Sequence, residues 1–316
     1  MASGRDSGGT SASSRTVSST VSGSSRRSLV AMSRKSHRQG EFPPAPEPLA
    51  VAVLDSHTHL DMVLEESRAA QGGPATVADA IASARAAGVD RLVQVGVDVP
   101  SSRWGLAVAR EHAAVVATVA VHPNEAPRLS DVDAALAEID ALAADPRVRG
   151  VGETGLDTFR TGPDGRKAQE ESFRGHIEIA KRHGKALVVH DRDAHADILR
   201  VLDEAGAPDT VVMHCFSGDG EFAAECVRRG FVLSFAGTVS FKSAAPLRVA
   251  AGVTPPEQLL VETDAPFLTP MPYRGRPNAP YLIPLTVRAL AAATGADVDE
   301  LCAAISATGE RVFGPW

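Results

Sequence analysis

The chain reads as an α/β protein: a (β/α)8 TIM-type barrel behind a disordered N-terminal extension. Three observations carry that expectation. From residue 49 onward, short apolar runs alternate with amphipathic stretches eight times. Each run is a nearly continuous Val/Ile/Leu segment, the pattern of a parallel strand buried on both faces. Several runs end on His, Glu or Asp, and in a closed barrel the C-terminal strand ends open into one shared mouth.

Residues 1–48 are expected to be the extension and 49–316 the barrel domain, which typically needs roughly 250 residues. The extension is Ser-, Gly-, Thr- and Arg-rich, nearly free of acids until Glu41 and poor in large apolar residues. Such a segment cannot bury enough surface to offset its ordering entropy. Ser25-Arg26-Arg27-Ser28-Leu29 has the outline of a twin-arginine export signal. Its apolar run stops at Met32, short of the roughly 7 to 15 residues that export requires, so export is not expected. The Arg- and Ser-rich composition also fits a transit peptide, without the amphipathic period of one, and Met32 is a second candidate start. Pro43, Pro44, Pro46 and Pro48 then form a stiff linker.

Strand-like runs lie near 51–55, 89–96, 115–121, 148–153, 186–190, 210–214, 231–235 and 259–263. Amphipathic stretches between them include 77–87, 132–144, 170–183 and 194–204. No GxGxxG follows the first run, so dinucleotide binding on a doubly wound sheet is not expected. Candidate site residues on strands 1, 4, 5, 6 and 8 favour closure, since an open sheet would hold its edges far apart. A Pro-rich loop, 266–284, leads to helices over roughly 285–313.

The composition, 44% hydrophobic and 22% charged, is that of a soluble globular protein. No apolar run approaches the roughly 18 to 20 residues of a membrane span. Three cysteines without CxxC spacing argue against a disulfide framework and fit a reducing, cytoplasmic setting. Cys215, beside His214, reads as a small buried residue ahead of a nucleophile. A net charge of −7 argues against a nucleic-acid partner, but bound divalent cations would reverse the sign locally. A monomer is expected.

The chemistry begins at His57 and His59, two apart on one extended segment, so both side chains face one side. Asp55 and Asp61 flank them as candidates to orient the imidazoles. Glu153 closes the fourth run, and a buried carboxylate there calls for a partner; its two oxygens could bridge two metals. His190 and His214 end the next two runs. Asp264 supplies a second carboxylate and a candidate base for a water. These six residues, His57, His59, Glu153, His190, His214 and Asp264, make a two-metal hydrolase centre the leading reading, with Glu153 and Asp264 catalytic. His122 ends the third run as a substrate-binding residue outside the ligand set. His37, His112, His176, His183 and His195 read as surface or packing histidines. Arg192, Lys242 and Arg274 are the candidates for gripping phosphates. Phe159, Phe216, Phe241 and Tyr273 are the candidates for stacking bases.

Taken together, the segments DSHTHLD (55–61), VHPN (121–124), GVGETGLD (150–157), VVHDRD (188–193), MHCFSGD (213–219), ETDAPFLTP (262–270) and RGRPN (274–278) resemble the TatD family of metal-dependent deoxyribonucleases. They cover the chain in order from about residue 51 to the end. The resemblance implies one divalent ion held by His57, His59, Glu153 and Asp264 and another by Glu153, His190 and His214. It also implies phosphodiester hydrolysis, typically 3′→5′ trimming of single-stranded DNA or RNA. The chain departs from the family at Thr158-Phe159-Arg160, where an aromatic pair is common, and at PNAP, where NEP is usual. Both departures bear on the substrate rim.

The His-rich set suits Zn²⁺ or Mn²⁺ better than Mg²⁺, which prefers oxygen ligands. An amidohydrolase-type or aminoacyl-tRNA ester hydrolase could use the same centre, although such barrels often carry a carboxylated lysine where this chain has Glu153. A metal-stabilised binding module would need closed coordination; six ligands shared by two ions leave positions open.

Overall fold

The computed structural model describes residues 40–316. The expected disorder of residues 1–39, the export-like arginine pair and the start at Met32 lie outside the described residues. Eight strands form one sheet in chain order: β1 (Val53–Thr58), β2 (Val89–Val95), β3 (Val115–Val119), β4 (Val148–Asp157), β5 (Ala186–Arg192), β6 (Val211–Met213), β7 (Val232–Phe235) and β8 (Leu259–Val261). All seven neighbouring pairs are parallel, as the doubly buried runs predict.

The helices are α1 (Leu60–Ala69), α2 (Val77–Ala86), α3 (Val99–Glu111), α4 (Val132–Ala143), α5 (Pro163–His183), α6 (His195–Ala205), α7 (Gly220–Arg228), α8 (Ala245–Val253), α9 (Ile283–Thr294) and α10 (Val298–Phe313). Their starts follow from local chemistry. The Thr76 and Asp98 side chains cap α2 and α3 in reciprocal boxes with Asp79 and Ser101, satisfying free N–H groups of the first turn. α5 begins at Pro163, earlier than the apolar pattern predicts. Proline suits a first turn that needs no N–H partner, and apolar periodicity does not register it. Between helices and strands, Leu54, Ile139, Phe173, Ile177, Leu187, Ile198 and Leu202 are fully buried, each worth about 2 kcal/mol over exposure.

β1 and the chain after β8 meet at a seam tied by backbone bonds and by one side chain. Thr58 bridges Ala265, and Asp264 N donates to His57 O at 2.9 Å. The Asp55 carboxylate accepts from Thr263 N at 2.9 Å and from Thr263 Oγ1 at 2.5 Å. Burial pushes the Asp55 carboxyl up to about 8, against those bonds. Asp55 therefore closes the barrel and does not orient an imidazole, a correction to its expected role.

The Pro-rich segment before β1 also differs from expectation, because the barrel holds it. Phe42 is buried and its N–H donates to Gln71 O at 2.8 Å. Arg276 donates to Glu41 O and Phe42 O, Tyr281 to Pro43 O, and Arg288 to Glu47 O and Pro48 O. Proline has no N–H, but its carbonyls remain acceptors, so a proline run can dock through arginine and tyrosine donors far along the chain.

Candidate metal centre

The two imidazoles of β1 come together as their spacing predicts, with ring centroids 5.1 Å apart. His59 Nδ1 faces Val95 O at 3.3 Å, leaving Nε2 toward the mouth. Gln94 steadies that turn: its Oε1 accepts from Leu60 N at 2.7 Å, and its Nε2 reaches Val95 O at 3.1 Å. Asp61 contacts Gln94 Nε2 at 3.4 Å, so its expected bond to an imidazole is not formed.

Glu153 does not close its strand; β4 runs on to Asp157. The β4/β5 register shifts between Val151 and Thr154, and Glu153 lies in that irregularity. Gly152 (φ 157°) and Gly155 (φ 138°) adopt conformations that side chains rarely take. A Cβ on Gly152 would stand 2.4 Å from Val188 O, and one on Gly155 2.1 Å from His190 O. The two glycines therefore let β4 approach β5 closely on both sides of Glu153.

The other histidines converge on that carboxylate. Oε1 lies 2.6 Å from His190 Nδ1, 3.0 Å from His214 Nε2 and 3.2 Å from His122 Nε2. Oε2 lies 3.4 Å from His57 Nε2 and 3.8 Å from His59 Nε2. Asp264, at φ 51°, brings Oδ1 within 3.5 Å of His59 Nε2 and 3.9 Å of His57 Nε2. A non-glycine residue held there is a local strain of the kind that collects at functional sites.

The electrostatics follow from this crowding. Burial opposes ionisation of Glu153, but His214, His122 and His190 outweigh it and hold the carboxyl well below its usual range. Burial likewise opposes charge on His214, and Glu153 with Glu262 drives it well above the ordinary value. His57 moves the other way, lowered by burial and by neighbouring His214. Both ring nitrogens of His57, and His190 Nε2, are buried without a hydrogen-bond partner. Orphaned buried imidazole nitrogens facing carboxylates fit a cation better than they fit each other. Three groups could hold one: His57, His59 and Glu153; His57, His214 and Asp264; and His122, Glu153 and His190. All six expected ligands thus gather at one place. His122, expected outside the ligand set, has its Nε2 within the third group.

Sequence reasoning missed three supporting residues. Glu262, wholly buried, places Oε1 3.0 Å from His214 Nδ1 and so orients that ring. Asp157 accepts from Asn124 Nδ2 at 2.8 Å and faces His190 Nε2 at 3.4 Å. His176, on α5, accepts from Val121 N at 3.0 Å, next to His122. A signal for two of them was present. Glu262 and Asp264, like Glu153 and Asp157, are separated by even steps, which share a side of an extended segment.

At the rim, Arg192, Lys242 and Arg274 are exposed and make no ion pair among the described residues. The Arg192 guanidinium lies 4.3 Å from the Phe159 ring centroid and that of Arg274 4.4 Å from Phe241. Phe216 is buried against Phe222 and Phe235, so it cannot stack a base, a second correction. Asn278, in the PNAP departure, is also buried, donating to Thr263 O and Phe267 O at 2.9 and 2.6 Å. It braces the Asp264 loop and does not form the rim.

A (β/α)8 barrel that gathers five imidazoles around one carboxylate at its strand ends defines the class: a metal-dependent hydrolase. Residues 54–314 match the family model described as TatD related DNase. The chain belongs to the TatD family. An uncharacterized metal-dependent hydrolase TatD of Mycobacterium tuberculosis is 46% identical, over 83% of this chain and 98% of its own length. A 3′-5′ ssDNA/RNA exonuclease TatD of Cronobacter turicensis is 35% identical, over 74% of this chain and 90% of its own. The solved structure of the Escherichia coli K12 TatD homolog YjjV superposes with a TM-score of 0.75 at 24% identity, covering 83% of this chain and 97% of that one. That likeness is one of fold. No helix among the described residues is long and apolar enough to cross a membrane.

Proposed function

We propose that the protein trims single-stranded DNA or RNA from the 3′ end by metal-dependent hydrolysis, acting as a monomer in the cytoplasm, with residues 49–316 as the catalytic domain. The observation that carries this reading is Glu153, whose two oxygens face different histidine groups: His57 and His59 on one side, and His122, His190 and His214 on the other. A carboxylate so placed suits a bridge between two divalent ions. The Cronobacter relative named as an exonuclease supports the choice of substrate.

His57, His59, Glu153, His190, His214 and Asp264 would hold the ions, with Zn²⁺ or Mn²⁺ matching the imidazole-rich donors. When bound, the ions supply positive charge opposite the phosphate oxygens, as two-metal sites do. The remaining steps belong to the chain. Asp264, with its side chain 15% exposed toward the mouth, accepts a proton from the attacking water as its oxygen bonds to phosphorus. The P–O3′ bond breaks, and the departing 3′ oxygen takes up the proton that Asp264 accepted, which restores the carboxylate. His122 Nε2, beside Glu153 Oε1, is placed to donate to a phosphate oxygen. Arg192, Lys242 and Arg274 bind flanking phosphates.

A denaturing gel of a 5′-labelled single-stranded oligonucleotide with Mg²⁺, Mn²⁺ or Zn²⁺ tests this. A chelator-sensitive ladder of shortened, still-labelled products is expected. An oligonucleotide left intact under every metal overturns the nuclease reading and turns attention to ester or amide substrates.

A further inference from the structure

We propose that Phe159, with the Arg192 guanidinium on one face of its ring, is a stacking platform for a nucleobase of the strand being trimmed; the inference rests on the nuclease reading above. Phe159 is 64% exposed, the most exposed large apolar side chain among the described residues, and the only aromatic among those exposed. An isolated exposed apolar residue means little by itself; its placement gives it meaning.

The backbone around Phe159 is pinned on one side to Asp157 and on the other to the end of β5. Asp157, which faces His190, accepts from Arg160 N at 2.8 Å. Thr158 N donates to Arg192 O at 3.0 Å, and Thr158 Oγ1 to Asp193 O at 2.7 Å. The ring therefore stands over the β4/β5 side of the mouth on a braced turn.

Arg192 covers one face of Phe159, the ring makes no further ring contact among the described residues, and the residue as a whole stays 64% exposed. An aromatic face accepts any base, so it holds a single strand without reading its sequence. A guanidinium stacked flat keeps its N–H edge free for a phosphate. Base and phosphate of one nucleotide could thus be met by one Phe–Arg pair. The other two such pairs are different: Phe241, with Arg274, and Tyr273, with Arg276, are only partly exposed.

The test is trimming of 5′-labelled oligonucleotides by the full chain. Stacking contributes about 1 to 3 kcal/mol per base. Phe159→Ala should therefore lower kcat/KM by about 5- to 150-fold. Phe159→Trp should retain the wild-type value, and Phe159→Leu should fall with the alanine variant. Single abasic residues scanned from the 3′ end should slow the wild type at one position, where Phe159→Ala shows no further loss. Undiminished trimming by Phe159→Ala, rescue by Leu equal to Trp, or no sensitive position overturns the platform and leaves the nuclease reading standing. A wild type that trims nothing overturns both.

Discussion

The floor of the mouth and its rim are built in opposite ways. On the floor, His59, His122, His190 and His214 each face a carboxylate or carbonyl through one ring nitrogen and a second polar group through the other. At the rim, Phe159, Arg192, Lys242 and Arg274 are exposed, and the contacts on their side chains come mostly as stacked pairs. The floor is over-determined, as a site must be to hold charge in a dry pocket. The rim keeps freedom to meet a flexible strand. Chemistry should therefore fail steeply on floor changes, and binding should decline gently on rim changes.

The sharpest break is Glu153→Gln, which keeps shape and removes the charge. Loss of about 4 kcal/mol of transition-state stabilisation, or about a thousandfold in kcat, is expected, with circular dichroism unchanged. Near wild-type turnover would sink the bridging role.

Beneath the floor, His176 gives a pH test of equal clarity. It is neutral in the fold, donating from Nδ1 to Ser172 O at 2.7 Å and accepting at Nε2, and burial pushes it down to about 4. Between its ordinary 6.5 and 4, the unfolded chain binds the extra proton, so stability falls as pH falls. The loss should reach about 3 kcal/mol and level off below about pH 4. Urea midpoints measured against pH would show this slope, and His176→Gln should flatten it.

Glu262→Gln sharpens the comparison from inside the floor. It leaves the six proposed ligands untouched but weakens the orientation of His214. Divalent-ion affinity by calorimetry should fall about 10- to 100-fold. Unchanged affinity would make Glu262 a packing residue only. The smallest effect belongs to the cations of the rim. Arg274→Ala and Lys242→Ala should each raise KM about fivefold with kcat unchanged, and flatten the salt dependence of binding. A kcat loss instead would place these cations on the floor.

Much of this was legible beforehand, for identifiable reasons. The eight strands are doubly buried and so write themselves as apolar runs. Histidine and carboxylate side chains are chemically rare at the ends of apolar runs, so His57, His59, Glu153, His190, His214 and Asp264 are recognisable one by one as candidate ligands. The start of α5 is not legible, because its first turn carries proline and polar residues in place of an apolar period. The burial of Phe216 is not legible either, because adjacency to His214 does not say which way a side chain turns; at φ 44°, Cys215 bends the chain between them.

The sequence by itself determined the barrel, its strand order and the set of residues that meet at the mouth, because burial period and residue chemistry are local properties. Only the tertiary structure decided that Asp55 seals β1 to β8, that Glu262 braces His214 and Asp157 faces His190, and that Phe159 stands open while Phe216 is buried. Each of these depends on contacts between residues 30 to more than 200 apart, or on which face of a loop the fold turns outward. No local pattern encodes such distances.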